Sequence, residues 1–322
     1  MVTLLVVPVP RTPAVAYGAE VPLSATESRR IDFKIDLTGQ NGIVLAGHFY
    51  PARNQDRGLL QVLIHGNSYD HRYWDAGEIN GNKYSYAHYM ADRGYAVLAL
   101  DLPGTGDSSK PNGDSVGLDG VSDALALIIA QLRGADEPLG CRIDRVALVG
   151  HSLGTIVSIY AQATRQPADI VVATGVGALP PAGPSPFGTA LLSEALEQEY
   201  VLLPAAARRR VFYHPPTTDP EVATFDNEHL LNSLPRRLYT ESFAARSNPK
   251  KSRAADVKCL VYVQLGEHDP IAPGSSLPLE ETCWPGSIAI TVEQLGDIGH
   301  CFNLHLNREI GWHRIDQYLS AH

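Results

Sequence analysis

The stretch GHSLG at residues 150–154 decides the fold of this chain. It follows a short apolar run at residues 145–149 and precedes a segment of helical character at residues 155–161. The pattern Gly-x-Ser-x-Gly between a strand and a helix needs its glycines, because the turn is too sharp for side chains at those positions. Such a turn pushes the serine hydroxyl into a cleft, so the sequence predicts that Ser152 is a nucleophile. The alternative interpretation is an ordinary loop between a strand and a helix.

Short apolar runs recur on both sides of this stretch. Runs of this kind fit strands that are buried on both faces of a parallel sheet. They occupy residues 59–64, 95–100, 145–149, 169–173, 259–265 and 288–292. Helix-like segments separate them, at residues 84–93, 120–133, 154–163 and 311–319. Strands that alternate with helices predict an α/β fold in one domain, with a central, mostly parallel sheet flanked by helices.

An antiparallel hairpin is predicted ahead of this sheet. Residues 30–37 alternate between apolar and polar, residues 43–50 form a second run, and Asn41-Gly42 between them is typical of a turn. We interpret residues 1–29 as an N-terminal leader. It is apolar at first but contains prolines and lacks a basic start, although residues 14–16 resemble a cleavage site. The sequence thus indicates a soluble protein and leaves open whether it is cytoplasmic or secreted.

One long region breaks the alternation of strands and helices. It spans residues 179–257, opens with a proline-rich stretch at residues 180–186, and contains helical patterns near residues 188–203 and 219–233. We interpret it as a helical lid, inserted between the sixth and seventh strands, over the carboxyl ends of the strands. A longer crossover that packs on one face of the sheet is the alternative. The core domain would then comprise residues 30–178 and 258–322.

Charge and composition exclude some classes of partner. The net charge of −9 is spread over 322 residues, and the basic residues form no stripe of the kind that binds nucleic acid. No apolar run approaches the roughly 18 residues that a membrane span needs. We therefore expect a small-molecule substrate, no nucleic-acid partner and no membrane span, and the sequence leaves the oligomeric state open.

Four cysteines are widely spaced and match no metal-binding pattern. Cys283 and Cys301 are near enough in sequence to form a disulfide, and the sequence leaves that pairing open. The pairs His300 and His305, or His268 and Asp269, suggest a metal, but no three ligands occur at a recognisable spacing. We expect neither a metal nor a cofactor.

A serine hydroxyl is a poor nucleophile that needs a base, and the base needs an orienting acid. Asp269 follows the run at residues 259–265, and His300 follows the run at residues 288–292. The carboxyl ends of parallel strands carry loops to the same cleft. The three candidates therefore occur in the chain order Ser152, Asp269, His300.

In this order the chain resembles the α/β-hydrolase superfamily, whose members carry nucleophile, acid and histidine in that sequence. The resemblance rests on the glycine-framed serine, on Asp269 and His300, on His65-Gly66 after the third strand, and on the D-x-x-G-x-G-x-S pattern at residues 101–108. It covers residues 30–320 apart from the insertion, and it implies the α/β-hydrolase fold.

The resemblance also implies a role for each site residue. Ser152 would attack a carbonyl carbon, His300 would take the serine proton and pass it to the leaving group, and Asp269 would hold the imidazole. The backbone N–H groups of Leu153 and Asn67 would form the oxyanion hole, with Ser68 as the alternative to Asn67.

Other residues compete for these roles. Glu267 and Asp297 are the alternatives to Asp269, whereas Asp101 and Asp107 are expected to bind turn amides. Several further histidines compete with His300; of these, His65 and His151 lie in the motifs and are expected to brace loops. The competing histidines are His65, His71, His88, His151, His214, His229, His268, His305 and His313.

Serine at the centre of the turn implies acyl transfer, because dehalogenases and epoxide hydrolases of this superfamily carry aspartate there. We expect hydrolysis of a carboxylic ester or lactone of a moderately hydrophobic small molecule. The expected lid lining is apolar and comprises Phe187, Leu191, Leu192, Leu196, Tyr200, Val201, Leu202 and Phe212. An amidase, a thioesterase, a carbon–carbon bond hydrolase or a ligand receptor on the same fold are the alternatives.

Overall fold

The computed structural model describes residues 28–37, 40–134 and 138–322. Residues 1–27 of the predicted leader lie outside the described residues, and Arg29 already belongs to the first strand. No helix in the described ranges has the length and apolar character needed to cross a bilayer. No disulfide joins Cys283 and Cys301 in the structure.

An eight-stranded sheet forms the centre of the molecule. Its strands are β1 (Arg29–Leu37), β2 (Gln40–Tyr50), β3 (Leu59–Ile64), β4 (Ala96–Leu100), β5 (Arg145–His151), β6 (Ile170–Thr174), β7 (Leu260–Gly266) and β8 (Ala289–Leu295). Their order across the sheet is β1-β2-β4-β3-β5-β6-β7-β8. The pairs β1–β2 and β2–β4 are antiparallel, and every other neighbouring pair is parallel. The predicted α/β fold is confirmed.

Burial of the central strands explains why they lack polar alternation. Every residue of β3, β4 and β6 is buried, and β5 is buried from Val146 to its end. Strands covered on both faces are mostly apolar, as parallel strands usually are, with Gln61 and Thr174 as buried polar exceptions. Because these strands are parallel, their carboxyl ends meet at one edge of the sheet, where the loops can carry polar side chains.

The hairpin is confirmed, but its turn is not where we predicted it. β2 begins at Gln40, which pairs with Leu37, so Asn41-Gly42 lies inside the strand. Residues 38 and 39, between the two strands, lie outside the described residues. The register of the pair shifts between Ile35 and Leu37.

Ten α-helices accompany the sheet within the described residues. They are α1 (Tyr86–Ala91), α2 (Leu118–Leu132), α3 (Leu153–Arg165), α4 (Thr189–Ala195), α5 (Ala205–Phe212), α6 (Pro220–Phe225), α7 (Arg236–Arg246), α8 (Pro249–Ser252), α9 (Leu277–Glu280) and α10 (Arg308–Ala321). In α2, the residues Val121, Leu125, Ile128 and Leu132 are buried, at the spacing of one helix face. The helix α3 is buried almost throughout, because it lies between the sheet and other helices.

The region between β6 and β7 contains α4 to α8. The predicted helix at residues 188–203 ends at Ala195, and Tyr200–Val201 instead pairs with Leu234–Pro235 as a two-stranded sheet. The second predicted helix divides into α6 and a π-helical segment at Asp226–Leu230. Helices α5 and α7 were not predicted, because their few apolar residues show weak periodicity in the sequence.

A buried ion pair joins this region to the core. Arg208 of α5 and Asp226 are both fully buried, and Nη2 of Arg208 lies 2.6 Å from Oδ1 of Asp226. Tyr213 donates a hydrogen bond of 2.7 Å to the same carboxylate. The hydroxyl of Tyr69, from the loop after β3, lies 3.3 Å from Asp226 and 3.1 Å from Sγ of Cys301. The cluster thus ties the inserted helices to two loops at the carboxyl edge of the sheet.

We predict that Asp226→Asn lowers the free energy of unfolding by about 3–5 kcal/mol, because it leaves the Arg208 guanidinium buried without its charge partner. Chemical denaturation followed by circular dichroism measures this change. Asp256→Asn removes a carboxylate from an exposed ion pair with Arg253 and is the matched control, with an expected change of about 0.5 kcal/mol or less. Equal losses in the two variants would contradict the anchoring role.

Candidate active site

The turn between β5 and α3 holds Ser152 in an unusual backbone conformation. β5 ends at His151, α3 begins at Leu153, and Ser152 between them has φ 54° and ψ −115°. This region of backbone space is costly for a residue with a side chain and persists only where the surroundings enforce it. The conformation is the strained strand-to-helix turn that the sequence predicts at this position.

The two flanking glycines allow the turn because they leave no room for side chains. A Cβ atom on Gly154 would lie 2.1 Å from the carbonyl oxygen of Ile64, at the end of β3. A Cβ atom on Gly150 would lie 2.6 Å from the carbonyl oxygen of Gly154. The first turn of α3 therefore packs directly on the backbone of the neighbouring strand, which fixes the position of Ser152.

The structure brings Ser152, His300 and Asp269 into one hydrogen-bonded chain. Nε2 of His300 lies 2.8 Å from Oγ of Ser152, and Nδ1 of His300 lies 2.7 Å from Oδ2 of Asp269. His300 and Asp269 are each 1% exposed, whereas Ser152 is partly accessible. In this arrangement a proton can move from the Ser152 hydroxyl to Nε2 of His300, while Nδ1 on the other side of the ring faces the Asp269 carboxylate.

Backbone amides hold the Asp269 carboxylate in place. Its Oδ1 accepts hydrogen bonds from the N–H groups of Ile271 (2.8 Å) and Ala272 (3.3 Å), so Oδ2 is left for His300. Asp269 lies in the loop after β7, and His300 lies in the loop after β8. The two loops touch, since a Cβ atom on Gly266 would lie 2.7 Å from the carbonyl oxygen of Gly299.

Both oxyanion-hole candidates lie beside Ser152. Asn67 and Leu153 line the same cavity as Ser152, and Leu153 is the first residue of α3, where free N–H groups point out of a helix. Gly66 lets the loop after β3 approach, because a Cβ atom there would lie 3.2 Å from Cβ of Ser152. Ser68 is buried and does not line the cavity.

The competing acids have other contacts. Oε2 of Glu267 accepts a hydrogen bond of 3.0 Å from the N–H group of Asp297. Both carboxylates lie 3.8 Å from Nε2 of His268, at the surface. Among the described residues, the only carboxylate that forms a hydrogen bond with His300 is that of Asp269.

Two competing histidines brace loops around the site. His65 is fully buried, with Nδ1 at 2.9 Å from the carbonyl oxygen of Gly66 and Nε2 at 3.0 Å from Oγ1 of Thr105. Nδ1 of His151 lies 3.1 Å from Oγ1 of Thr174. Burial lowers the pKa of both imidazoles, so both are neutral near pH 7.

Asp101 joins the loops that follow β3 and β4. Its carboxylate accepts hydrogen bonds from the N–H groups of His71 and Asp107, at 2.6 and 2.8 Å, which agrees with the predicted binding of turn amides. Burial by itself would raise the pKa of Asp101, but His48 and His71 outweigh it and hold that pKa well below its usual value. The carboxylate is therefore ionised and fixes the loop that carries Asn67.

Two histidine-rich clusters among the described residues have the composition of metal sites, but their rings are stacked. His48 and His71 lie beside Asp101 with ring centroids 3.4 Å apart and an angle of 14° between the rings. His214 and His268 lie beside Asp297 at 3.8 Å and 9°. A ligating nitrogen points at its metal within the plane of the ring, so nearly parallel rings face to face do not direct two nitrogens at one ion.

A cavity of about 220 Å³ opens beside Ser152. Its wall is mostly apolar, and much of it comes from the region between β6 and β7. Only Phe187 and Phe212 of the expected lid residues line it; Leu202 is exposed and the ring of Tyr200 lies over Gly104. The other lining residues from this region are residues 181–186, Leu203, Tyr239, Ser242, Phe243 and Arg246.

The contribution of α7 to this cavity was not predicted from the sequence. Tyr239, Ser242, Phe243 and Arg246 lie at spacings of three and four residues, so they share one face of the helix. That spacing is the signal that could have found them. It was obscured because the face mixes aromatic, hydroxyl and charged side chains.

Comparison with known proteins agrees with this geometry. Residues 61–309 match the model of the alpha/beta hydrolase family. The chain belongs to this family. No protein among the curated sequences matches it.

Several solved structures share this alpha/beta hydrolase fold. A thermophilic esterase from Thermogutta terrifontis, solved with malate bound, is 18% identical, with a TM-score of 0.67 over 91% of this chain and 98% of that chain. A monoacylglycerol lipase from Paleococcus ferrophilus is 18% identical, with a TM-score of 0.63 over 87% and 98%. The enol-lactonase from Burkholderia xenovorans is 16% identical, with a TM-score of 0.64 over 86% and 97%.

We predict that Gly154→Ala lowers the free energy of unfolding by about 3 kcal/mol, because the added methyl group overlaps the Ile64 carbonyl oxygen and forces α3 away from β3. Urea denaturation measures this change. Gly296→Ala is the control, since a Cβ atom there would meet its nearest neighbour, Oε2 of Glu267, at an ordinary 3.7 Å. A Gly154→Ala protein as stable as the control would contradict the packing described for this turn.

Proposed function

We propose that this alpha/beta hydrolase cleaves a carboxylic ester or lactone through an acyl-serine intermediate. The observation that carries the proposal is the hydrogen-bonded chain from Oγ of Ser152 through His300 to Asp269, at the edge of an apolar cavity. Family membership supports hydrolysis, and a serine in this position supports attack on a carbonyl carbon.

In the first half of the reaction, Oγ of Ser152 attacks the carbonyl carbon while Nε2 of His300 takes the hydroxyl proton. Asp269 stabilises the resulting imidazolium, since its carboxylate is buried against Nδ1. The tetrahedral intermediate then collapses, the bond to the alkoxy group breaks, and His300 gives its proton to the leaving oxygen. Ser152 remains as an acyl ester.

In the second half, water attacks the acyl ester and His300 takes one of its protons. The acyl–oxygen bond of Ser152 breaks, the serine recovers its proton from His300, and a carboxylic acid leaves. Negative charge develops on the carbonyl oxygen in both halves. We assign its stabilisation to the backbone N–H groups of Leu153 and Asn67, each worth about 3 kcal/mol in comparable sites.

The position of the inserted region supports its proposed role as a lid. It supplies much of the wall of the cavity beside Ser152, and it is tied to the loops of Asn67 and His300 through the cluster around Asp226. A mostly apolar cavity of about 220 Å³ suits a moderately hydrophobic acyl or alkyl group. Three proteins of similar fold are named as an esterase, a lipase and an enol-lactonase, and these names agree with the proposed substrate class.

The same arrangement of serine, histidine and aspartate can also support hydrolysis of amides, thioesters and carbon–carbon bonds. Esters and lactones are favoured over amides and carbon–carbon bonds, because an alkoxy group leaves more readily than an amide nitrogen or a carbon atom. Matched ester, thioester and anilide substrates with one acyl chain separate these activities by their kcat/KM values. A ligand receptor on this fold would bind a small molecule and turn over none of them.

We expect the wild-type protein to hydrolyse short para-nitrophenyl esters and Ser152→Ala to lose about 10⁴-fold or more in kcat, because it has no nucleophile. Release of para-nitrophenol measures both rates. Ser158→Ala, which removes another buried hydroxyl from α3, is the matched control and keeps its activity. Hydrolysis by Ser152→Ala at the wild-type rate would refute the assignment.

We expect Asp269→Asn to reduce kcat by about 10³–10⁴-fold with little change in KM, because the amide no longer stabilises the imidazolium. Steady-state kinetics on the same esters measures this, with circular dichroism to confirm folding. Asp297→Asn alters a neighbouring exposed carboxylate and is expected to match the wild type. If Asp297→Asn loses activity and Asp269→Asn matches the wild type, the orienting acid is Asp297.

A further inference from the structure

Helix α7 places the polar side chains of Ser242 and Arg246 in the mostly apolar wall of the cavity beside Ser152. Ser242 and Arg246 are one helical turn apart, so they lie on the same face of the helix. Both line the cavity together with the rings of Tyr239 and Phe243. They are buried, with Ser242 at 0% and Arg246 at 7% exposure.

Arg246 lacks the partners that a buried guanidinium needs. Among the described residues, its hydrogen bonding is limited to one bond of 2.7 Å from Nη2 to the carbonyl oxygen of Ile271, and its Nε is buried without a partner. It takes part in none of the ion pairs found in the described part of the chain. A buried charge without a counter-charge is costly, so it is normally paired.

The carboxylates that act on Arg246 electrostatically have other hydrogen-bond partners. Asp269 binds His300 and two backbone amides. Glu280 is 1% exposed and accepts hydrogen bonds from the N–H groups of Ala178 and Leu179 and from the indole of Trp284. Neither carboxylate therefore serves as the close partner of the guanidinium.

Ser242 presents a second unused polar group. Its hydroxyl oxygen is fully buried and has no hydrogen-bond partner among the described residues. A buried hydroxyl without a partner costs free energy that a bound acceptor would recover. The unpartnered atoms of Ser242 and Arg246 are thus two donors in the wall of one cavity.

We propose that Ser242 and Arg246 form a binding site for a carboxylate group of the substrate, so that the natural ester or lactone is one that carries a free carboxylate. This rests on the proposed function for the reacting end of the substrate. The guanidinium binds the carboxylate through charge-assisted hydrogen bonds, and the Ser242 hydroxyl donates one more. The carboxylate supplies the missing counter-charge, and the apolar walls enclose the carbon chain between the two ends.

The chemistry of the wall favours a carboxylate over a phosphate. A carboxylate has one negative charge and two oxygens, which one guanidinium and one hydroxyl can serve. A phosphate monoester carries nearly two charges and three oxygens near pH 7 and would need further donors. The remaining residues of α7 that face the cavity are Tyr239 and Phe243, which supply rings rather than cationic groups.

The test compares esters that differ only in a terminal carboxylate. The para-nitrophenyl monoesters of succinic, glutaric and adipic acid are each paired with the butyrate, pentanoate and hexanoate ester of the same chain length. Each rate is corrected for uncatalysed hydrolysis. We expect the wild-type kcat/KM to be about 10-fold or more higher for the charged ester at one or more chain lengths. A preference for the neutral ester at every length would overturn the proposal.

Variants of two arginines on α7 identify the source of this preference. Arg246→Met keeps most of the side-chain volume and is expected to lower the ratio of charged to neutral kcat/KM by about 10- to 100-fold. Arg246→Lys keeps the positive charge but lacks the planar guanidinium group, so we expect it to recover part of the ratio. Arg237→Met changes an exposed arginine of the same helix and is expected to leave both rates as in the wild type. An unchanged ratio in Arg246→Met would contradict the proposal.

Binding without turnover separates this inference from the proposed function. Calorimetry with the Ser152→Ala protein measures binding of glutarate and of inorganic phosphate. We expect glutarate to bind more tightly than phosphate, and adding Arg246→Met to weaken glutarate about 10-fold or more. Tighter binding of phosphate, or no binding of glutarate, would overturn the carboxylate site. If glutarate binds as expected but the wild type cleaves no ester, the site stands and the proposed function fails.

Discussion

The contact between the first turn of α3 and the end of β3 is the constraint on which the rest of the site depends. It exists because Gly154 has no side chain, so the helix can begin against the carbonyl oxygen of Ile64. This contact leaves Ser152 in a strained conformation with its hydroxyl 2.8 Å from His300. The same contact sets the first N–H groups of α3 beside the loop of Asn67. The proposed nucleophile and the proposed anion-binding groups are thus positioned by one packing interaction.

Two buried arginines in the inserted region illustrate different uses of a charge. Arg208 is paired with Asp226, so its charge is balanced within the protein, and Tyr69 links the Asp226 carboxylate to the loops of the core. Arg246 faces the cavity and has only a carbonyl oxygen as partner among the described residues. The first arginine holds the inserted helices in place. The second is an unpaired charge beside Ser152, and the proposed carboxylate would balance it only in the complex with substrate.

The fold could be predicted from the sequence because its central strands are buried on both faces. Continuous apolar runs identified every parallel strand to within about three residues, and the glycines at residues 150 and 154 identified the turn between β5 and α3. The candidate residues Ser152, Asp269 and His300 follow strand ends, so their convergence was also predictable. The hairpin turn was misplaced, because an Asn-Gly pair favours a turn in isolation and the strand pairing overrides that preference.

The lining of the cavity could not be predicted in the same way. The inserted helices are short, and their positions depend on the ion pair of Arg208 and Asp226, which are 18 residues apart in sequence. The expected apolar residues therefore turned out to serve different surfaces, with Leu202 exposed and Phe187 in the cavity. The spacing of Arg246 along α7 could be read from the sequence, but its significance comes from burial and from missing partners, which the sequence does not show.

Everything proposed for the site depends on the Ser152 hydroxyl being the nucleophile. The reaction of the intact protein with a fluorophosphonate, followed by mass spectrometry of its peptides, tests this assignment. We expect one adduct, on the peptide that contains Ser152, and much slower labelling when Asp269 is replaced by Asn. An unreactive protein, or an adduct on a different serine, would refute the assignment.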